Sequence, residues 1–226
     1  MALSFAVITE GVSEHIIIKH IISHFFKEDT IINQLQPLID VKGQQLVPGG
    51  WNEVLKYCSQ EAILQSVLEY NDYIVIQIDT DMSEIEPYSV SKLNDKGERV
   101  TNEILWERVH KRLLEEICET IDKNRILFAI CIDEAECWLL PAVCSVERKK
   151  SAYLNCCYRL NDELVRLNEA PIIEKTSVQA IRSYLSVLKK MKKRREIESI
   201  ASYHYGFLQF IEQLKKVEFD NVPKEE

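Results

Sequence analysis

The run Phe5-Ala6-Val7-Ile8-Thr9 ends on Glu10-Gly11, and a helix-like stretch carrying a second acid, Glu14, follows at once. Further on, Tyr73-Ile74-Val75-Ile76-Gln77-Ile78 ends on Asp79-Thr80-Asp81. Short, nearly continuous apolar runs of this kind mark strands covered on both faces, which belong to parallel sheets. Open α/β sheets place their sites outside the carboxyl ends of the strands. Acids from distant parts of the chain are therefore expected to meet at one sheet edge, which is a divalent-metal site in outline.

Periodicity extends this to the whole chain. Strand 1 is expected over 4–9 and a helix over 13–27, with Ile16, Ile17, Ile21 and Phe25 on a broad apolar face. A short strand over 39–41 precedes the turn signal Pro48-Gly49-Gly50, and a helix follows over 52–69. Strand 3 covers 73–78, and the polar stretch 82–100, with Pro87, Asn94, Asp95 and Gly97, reads as a long mobile loop. A helix over 101–122 leads to a fourth strand over 125–132. The order β-α-β-α-β-α-β predicts parallel strands joined by right-handed crossovers. Beyond Trp138-Leu139-Leu140-Pro141 no further strand is evident, and 160–167, 178–192 and 205–216 read as helices. The expected organisation is an α/β unit over 1–145 with a helical region over 146–226 packed on it.

With 226 residues, of which 46% are hydrophobic, the chain is long enough to bury a substantial core. Its net charge of −8 argues against broad adhesion to nucleic acid or anionic membrane, although bound cations and a local basic patch can supply a positive field. Seven cysteines, an odd number that includes the adjacent Cys156-Cys157, do not read as a disulfide framework, and Cys131, Cys137 and Cys144 read as small packing residues. No secretory leader is expected before the first strand, and no apolar run approaches the roughly 18 residues that a membrane span requires. A reducing cytoplasm is the expected compartment, with no membrane partner.

All three apolar strands end in acids, since the fourth delivers Asp133-Glu134-Ala135-Glu136. Glu10 and Glu14 share a pocket if a helix starts between them, and Asp79 and Asp81 can share a metal where the backbone leaves extended geometry. Hard oxygen ligands suit Mg²⁺ or Mn²⁺, and two such ions serve phosphodiester cleavage. A plainer reading stands beside this one: loops after strands are solvated, and Glu14 in a first helical turn complements the helix dipole.

The residues resemble a family. An apolar strand ending on Glu10-Gly11, followed by a strand ending on Asp79-x-Asp81, is similar to the TOPRIM domain of topoisomerases, bacterial primases, recombination mediators and several nucleases. The resemblance covers about 1–145 and is nearest the OLD-family nucleases and the small stand-alone TOPRIM proteins of phage-defence systems. Their first motif, Glu-Gly-x-Ser/Thr-Glu, is matched by Glu10-Gly11-Val12-Ser13-Glu14, and their later Glu-x-Glu by Glu134-Ala135-Glu136. It implies a Rossmann-like parallel sheet flanked by helices and a metal-dependent endonuclease with two Mg²⁺ or Mn²⁺ ions. Glu10, Asp79 and Asp81 would be catalytic, with Glu14, Glu134 and Glu136 shaping a second metal position. The OLD family adds a late lysine, for which Lys175, Lys189 and Lys190 are candidates, each also readable as a solvated helix charge. It also carries an ATPase domain, and no Walker-type Gly-x-x-x-x-Gly-Lys occurs here, so ATP control would need a partner chain.

Other readings rank lower. No C-x-x-C supports a zinc module, and His20 and His24 lack the Glu of a zinc-protease motif. Asp79-x-Asp81 also fits the aspartate pair of a haloacid-dehalogenase-like phosphatase, but that pair belongs on the first strand. A non-catalytic adaptor with the TOPRIM shape is the alternative of a different class. The basic cluster Lys189, Lys190, Lys192, Lys193, Arg194 and Arg195 is either a solvated face or a nucleic-acid contact, with Tyr184, Tyr203, His204 and Tyr205 nearby as stacking groups. DNA or RNA is the expected substrate, with an ATPase chain or a second copy as further partner. Trp138 is either a lid over the pocket or a core anchor.

Overall fold

The computed structural model describes residues 2–26, 30–39, 45–46 and 48–221, with side chains to 217. Its centre is a four-stranded, all-parallel sheet of β1 (Ser4–Ile8), β2 (Ile31–Gln36), β3 (Tyr73–Asp79) and β4 (Ile126–Cys131), in the order β2-β1-β3-β4. Between the strands run α1 (Val12–Phe25), α2 (Trp51–Cys58), α3 (Glu61–Tyr70) and α4 (Asn102–Glu116). Among the described residues, β4 is followed by α5 (Leu140–Val143), α6 (Glu147–Lys150), α7 (Cys156–Arg166), α8 (Val178–Leu188), α9 (Arg194–Ala201) and α10 (Tyr205–Asn221).

Period-two alternation sorts the strand residues into two cores. Phe5, Val7, Val75, Leu127, Ala129 and Cys131 face α1 and the C-terminal helices. Ala6, Ile8, Ile74, Ile76, Ile78, Phe128 and Ile130 face the layer of α2, α3 and α4. The helices after β4 thus share one core with the sheet. Trp138 is buried there, stacked at 4.5 Å on Phe207, and is a core anchor rather than a lid.

The outer edge of β4 is closed by α10. The Gln213 side chain accepts from Phe128 N–H at 2.8 Å and donates to Phe128 C=O at 3.0 Å, standing in for a neighbouring strand. Gly206 lies so close that a Cβ there would stand 2.1 Å from Ile130 O, so only glycine fits.

Several boundaries differ from the sequence expectation. The second strand is 31–36, not 39–41. Its Asn33, Gln34 and Gln36 break the apolar signal because an edge strand is only partly covered. Ile39 makes only an isolated antiparallel bridge to Gln45, while Asp40 and Val41 lie outside the described residues, as does Lys27 at the expected end of the first helix. The helix expected over 52–69 is two helices, with Ser59 and Gln60 between them. The helix expected to reach 122 stops at Glu116, and the one expected to reach 192 stops at Leu188.

The stretch 82–100 is tied down rather than loose. Tyr88 is fully buried and donates to Asp79 C=O at 3.1 Å. Arg108 donates to the carbonyls of Ser91 and Leu93, and Arg112 to those of Pro87 and Tyr88. Turn-forming residues signal a loop, but those arginines lie in α4, beyond the reach of local pattern. Cys137 is also more than a packing residue, since it forms a disulfide with Cys156 across a Cα–Cα distance of 4.9 Å, while Cys131 and Cys144 are free and buried. The pairing arises where the 3₁₀ turn over 135–139 packs against the start of α7, which spacing alone does not reveal. Among the described residues no helix is long and apolar enough to cross a membrane.

Candidate metal centre

β1 and β3 are neighbours, in register from Phe5–Tyr73 to Ile8–Ile76, so their carboxyl ends emerge side by side. There Glu10 Oε1 accepts from Asp79 N–H at 2.6 Å. A close turn from the α2 side supports Glu10: Gly50 N–H donates to Glu10 C=O at 2.7 Å, and a Cβ on Gly49 would stand 2.1 Å from that oxygen. Gly49 therefore allows the backbones to meet. Asp79 and Glu14 are both buried, and Ser13 Oγ lies 2.9 Å from both Glu14 oxygens.

The tip of β3 is stitched to the turn after β4. Thr80 and Asp81 N–H both donate to Asp133 C=O, and Asp133 N–H donates to Thr80 Oγ1 at 2.8 Å. Asp133 itself has φ +68°, a left-handed conformation that Asp tolerates better than most residues. This turn sends Glu134 and Glu136 back toward the sheet. Asp81 is exposed at the rim, its C=O accepting from Lys92 Nζ.

Glu136 is fully buried yet well paired. Lys175 Nζ lies 2.9 Å from its carboxylate and 3.3 Å from Glu134 Oε2, and the Tyr184 hydroxyl donates to Glu136 Oε1. Cys157 N–H donates to Glu134 Oε1 at 2.8 Å. The C-terminal region thus brings the cluster a cation and a phenol. Of the three lysines considered, Lys175 reaches it, from a turn before α8, whereas Lys189 and Lys190 are exposed elsewhere. Tyr184, expected among stacking groups, is buried against Glu136 instead, and His204 is buried with Nε2 on Lys150 C=O.

Electrostatics agree with crowding. Burial, reinforced by the Glu14 and Asp81 charges, pushes Glu10 up to about 8 despite the Asp79 N–H. Burial, then Glu10, Glu14 and Glu136, holds Asp79 well above the carboxylate range, with Lys175 acting in the opposite direction. Burial also raises Glu136 against the pull of Lys175, and it raises Asp81. Lys175 loses solvation but sits above its ordinary value because Glu136, Glu14 and Asp79 surround it. Burial and mutual repulsion both make the charged forms of these acids costly, and a hard divalent cation would offset both. Among the described residues, however, no three His, Cys, Asp or Glu side chains are grouped so as to hold a metal ion. The donors fit in chemistry, and the set is not drawn into a finished cage.

One residue lies outside the set expected from the sequence. Gln77, buried in β3, contacts both Glu10 and Asp79. Its sequence signal is a polar side chain inside an apolar strand, two residues before Asp79 and so on the same face.

The basic cluster is not one helix face: Lys189, Lys190, Lys192 and Lys193 lie in the turn joining α8 to α9, and Arg194 and Arg195 open α9. Lys192 and Lys193 N–H donate to Glu196, and Lys189, Lys190, Lys192, Lys193 and Arg195 are exposed or partly exposed. Arg194 stacks over Phe25 at 4.3 Å and pairs with Glu198 at 3.1 Å. Arg194 thus meets α1 about three turns from Glu14, and Met191, in the middle of the cluster, lies against His20 between them, its C=O 3.1 Å from His20 Nε2. Lys190 and Arg195 border an open groove of about 420 Å³ with Pro141, Ala142 and Ser199.

Comparison with family models, curated proteins and solved structures finds no match to this chain.

Proposed function

We propose that this chain is a divalent-metal-dependent nuclease of the TOPRIM type, hydrolysing phosphodiester bonds in DNA or RNA, and the effector of an antiviral defence system under the control of a separate ATPase chain. The observation that carries the reading is the hydrogen bond from Asp79 N–H to Glu10 Oε1 at the tips of adjacent parallel strands, within the electrostatic reach of Glu14, Glu136 and Lys175. Mg²⁺ or Mn²⁺ would be held by Glu10 and Asp79, with Asp81 at the rim and Glu14, Glu134 and Glu136 toward a second position. When bound, the ions would activate water and neutralise charge on the phosphate. Gly49 and the Thr80–Asp133 stitch hold the strand tips in place, and Lys175, partly open to solvent, presents a cation where a phosphate oxygen can approach.

The test is a cleavage assay on plasmid, single-stranded DNA and total tRNA with Mg²⁺ or Mn²⁺, comparing the wild type with Asp79→Asn. Metal-dependent cutting that Asp79→Asn abolishes while circular dichroism is unchanged is the expected result. Absence of both cutting and Mn²⁺ binding in the wild type would overturn the reading, and biological activity surviving Asp79→Asn would favour a non-catalytic adaptor.

A further inference from the structure

The regular pairing of β1 with β3 ends at Ile8–Ile76, yet the two carboxylates of interest lie beyond it. What joins them there is a ring of three hydrogen bonds. Asp79 N–H donates to Glu10 Oε1 at 2.6 Å, Glu10 N–H donates to Gln77 Oε1 at 3.1 Å, and Gln77 Nε2 donates to Asp79 Oδ1 at 2.8 Å. The same Nε2 lies 3.8 Å from Cys131 Sγ on β4.

From this geometry we infer that Gln77 is the positioning residue that fixes the Glu10 and Asp79 carboxylates relative to each other, a role that rests on the metal-site reading above. An amide is the side chain the position requires, because the ring needs an acceptor for Glu10 N–H and a donor for Asp79 Oδ1 from one group. Leu supplies neither, and Asn is one methylene too short to span both. A buried glutamine kept only for packing could satisfy itself on any nearby backbone group. Here both ends of the amide are spent on the acid pair. The ring uses one oxygen of each carboxylate and leaves the second out of it, as a partner that orients ligands from behind should. Because Gln77 is fully buried, its rotamer is set by packing, and the separation of the two acids is set with it.

The test uses the full chain carrying Gln77→Leu and, as a second variant, Gln77→Asn. In metal-free protein, amide hydrogen exchange followed by NMR should show Glu10 N–H protected in the wild type and exchanging at least tenfold faster in both variants, while Val75 and Ile76 amides keep their protection. Mn²⁺ titration should show Kd raised about 10- to 100-fold, the range for loss of a group that orients a ligand. Unchanged Glu10 exchange, or unchanged Mn²⁺ affinity where the wild type binds Mn²⁺, overturns the proposal. Global loss of protection in both variants would show a packing role and overturn it too. A wild type that binds no Mn²⁺ fails the metal-site reading, and the exchange measurement still decides whether Gln77 holds the pair.

Discussion

Glu10→Gln offers a quantitative check on the buried acid cluster. Burial and the nearby charges of Glu14 and Asp81 move Glu10 from 4.5 in the ordinary state to about 8 in the folded chain. That is roughly 3.5 pH units, with a ceiling of roughly 5 kcal/mol at 1.36 kcal/mol each. Glu10 keeps some contact with solvent, which screens the effect, so about 2 kcal/mol is the working figure. The sign follows from proton linkage. The folded state holds the Glu10 proton more tightly than the unfolded chain, so the advantage is complete below about pH 4.5 and is lost as pH rises to about 8. Glutamine keeps the oxygen that accepts from Asp79 N–H and carries no charge at any pH. The stability difference, variant minus wild type, should therefore be near zero at pH 4.5 and reach about 2 kcal/mol in favour of the variant at pH 8.5. Urea unfolding in EDTA, followed by tryptophan fluorescence, measures it; the difference cancels titrations of groups that do not sense Glu10, and relief of Asp79, which Glu10 raises, acts in the same direction. A difference that stays flat across this range, or favours the wild type at high pH, would refute the picture of an acid held neutral by its surroundings.

Three further outcomes follow from the geometry. Lys175→Met strands the buried Glu136 carboxylate and should cost roughly 3 kcal/mol in urea unfolding at pH 7; a cost below about 0.5 kcal/mol would mean that the pair is solvated. Gly49→Ala, pressed against Glu10 C=O, should sharply lower metal-dependent cleavage with circular dichroism retained, and wild-type rates would show that the Gly49 turn does not place Glu10. Neutralising Lys189, Lys190, Lys192, Lys193 and Arg195 should weaken binding of long nucleic acids and flatten the salt dependence by about 0.7 to 0.9 for each phosphate that no longer meets a cation. A salt slope that neutralisation leaves unchanged would mean that the cluster meets no phosphate.

What the amino-acid order makes legible is whatever is written locally. β1, β3 and β4 are covered on both faces, so each appears as an apolar run, and the acids that end them mark the sheet edge where the strands terminate. β2 is hidden because an edge strand carrying Asn33, Gln34 and Gln36 has no such run. The break at Ser59–Gln60 is a propensity effect too weak to separate from a continuous helix. Lys175 and Tyr184 meet Glu136 across 39 and 48 residues of chain, and nothing local to a lysine in a turn or a tyrosine in a helix names its partner. Gln77 is legible in principle, as the polar residue of an apolar strand on the same face as Asp79, but its other partner, Glu10, lies 67 residues away and is not. The disulfide belongs to the same class, being a contact created by tertiary packing.

The closure of β4 by Gln213 has a temporal consequence. A ribosome translating at about 5 to 20 residues per second needs on the order of 4 to 15 s to pass from Glu136 to Gln213. Throughout that interval β4 has an open margin, and until Lys175 and Tyr184 are made Glu136 has neither cation nor phenol. The acids after β1 and β3 have their partners in hand by residue 79, whereas the acid pair after β4 waits for Lys175 and Tyr184. The Glu10, Gln77 and Asp79 ring can therefore form long before Glu136 gains its partners, so the two halves of the acid cluster are completed at different stages of synthesis.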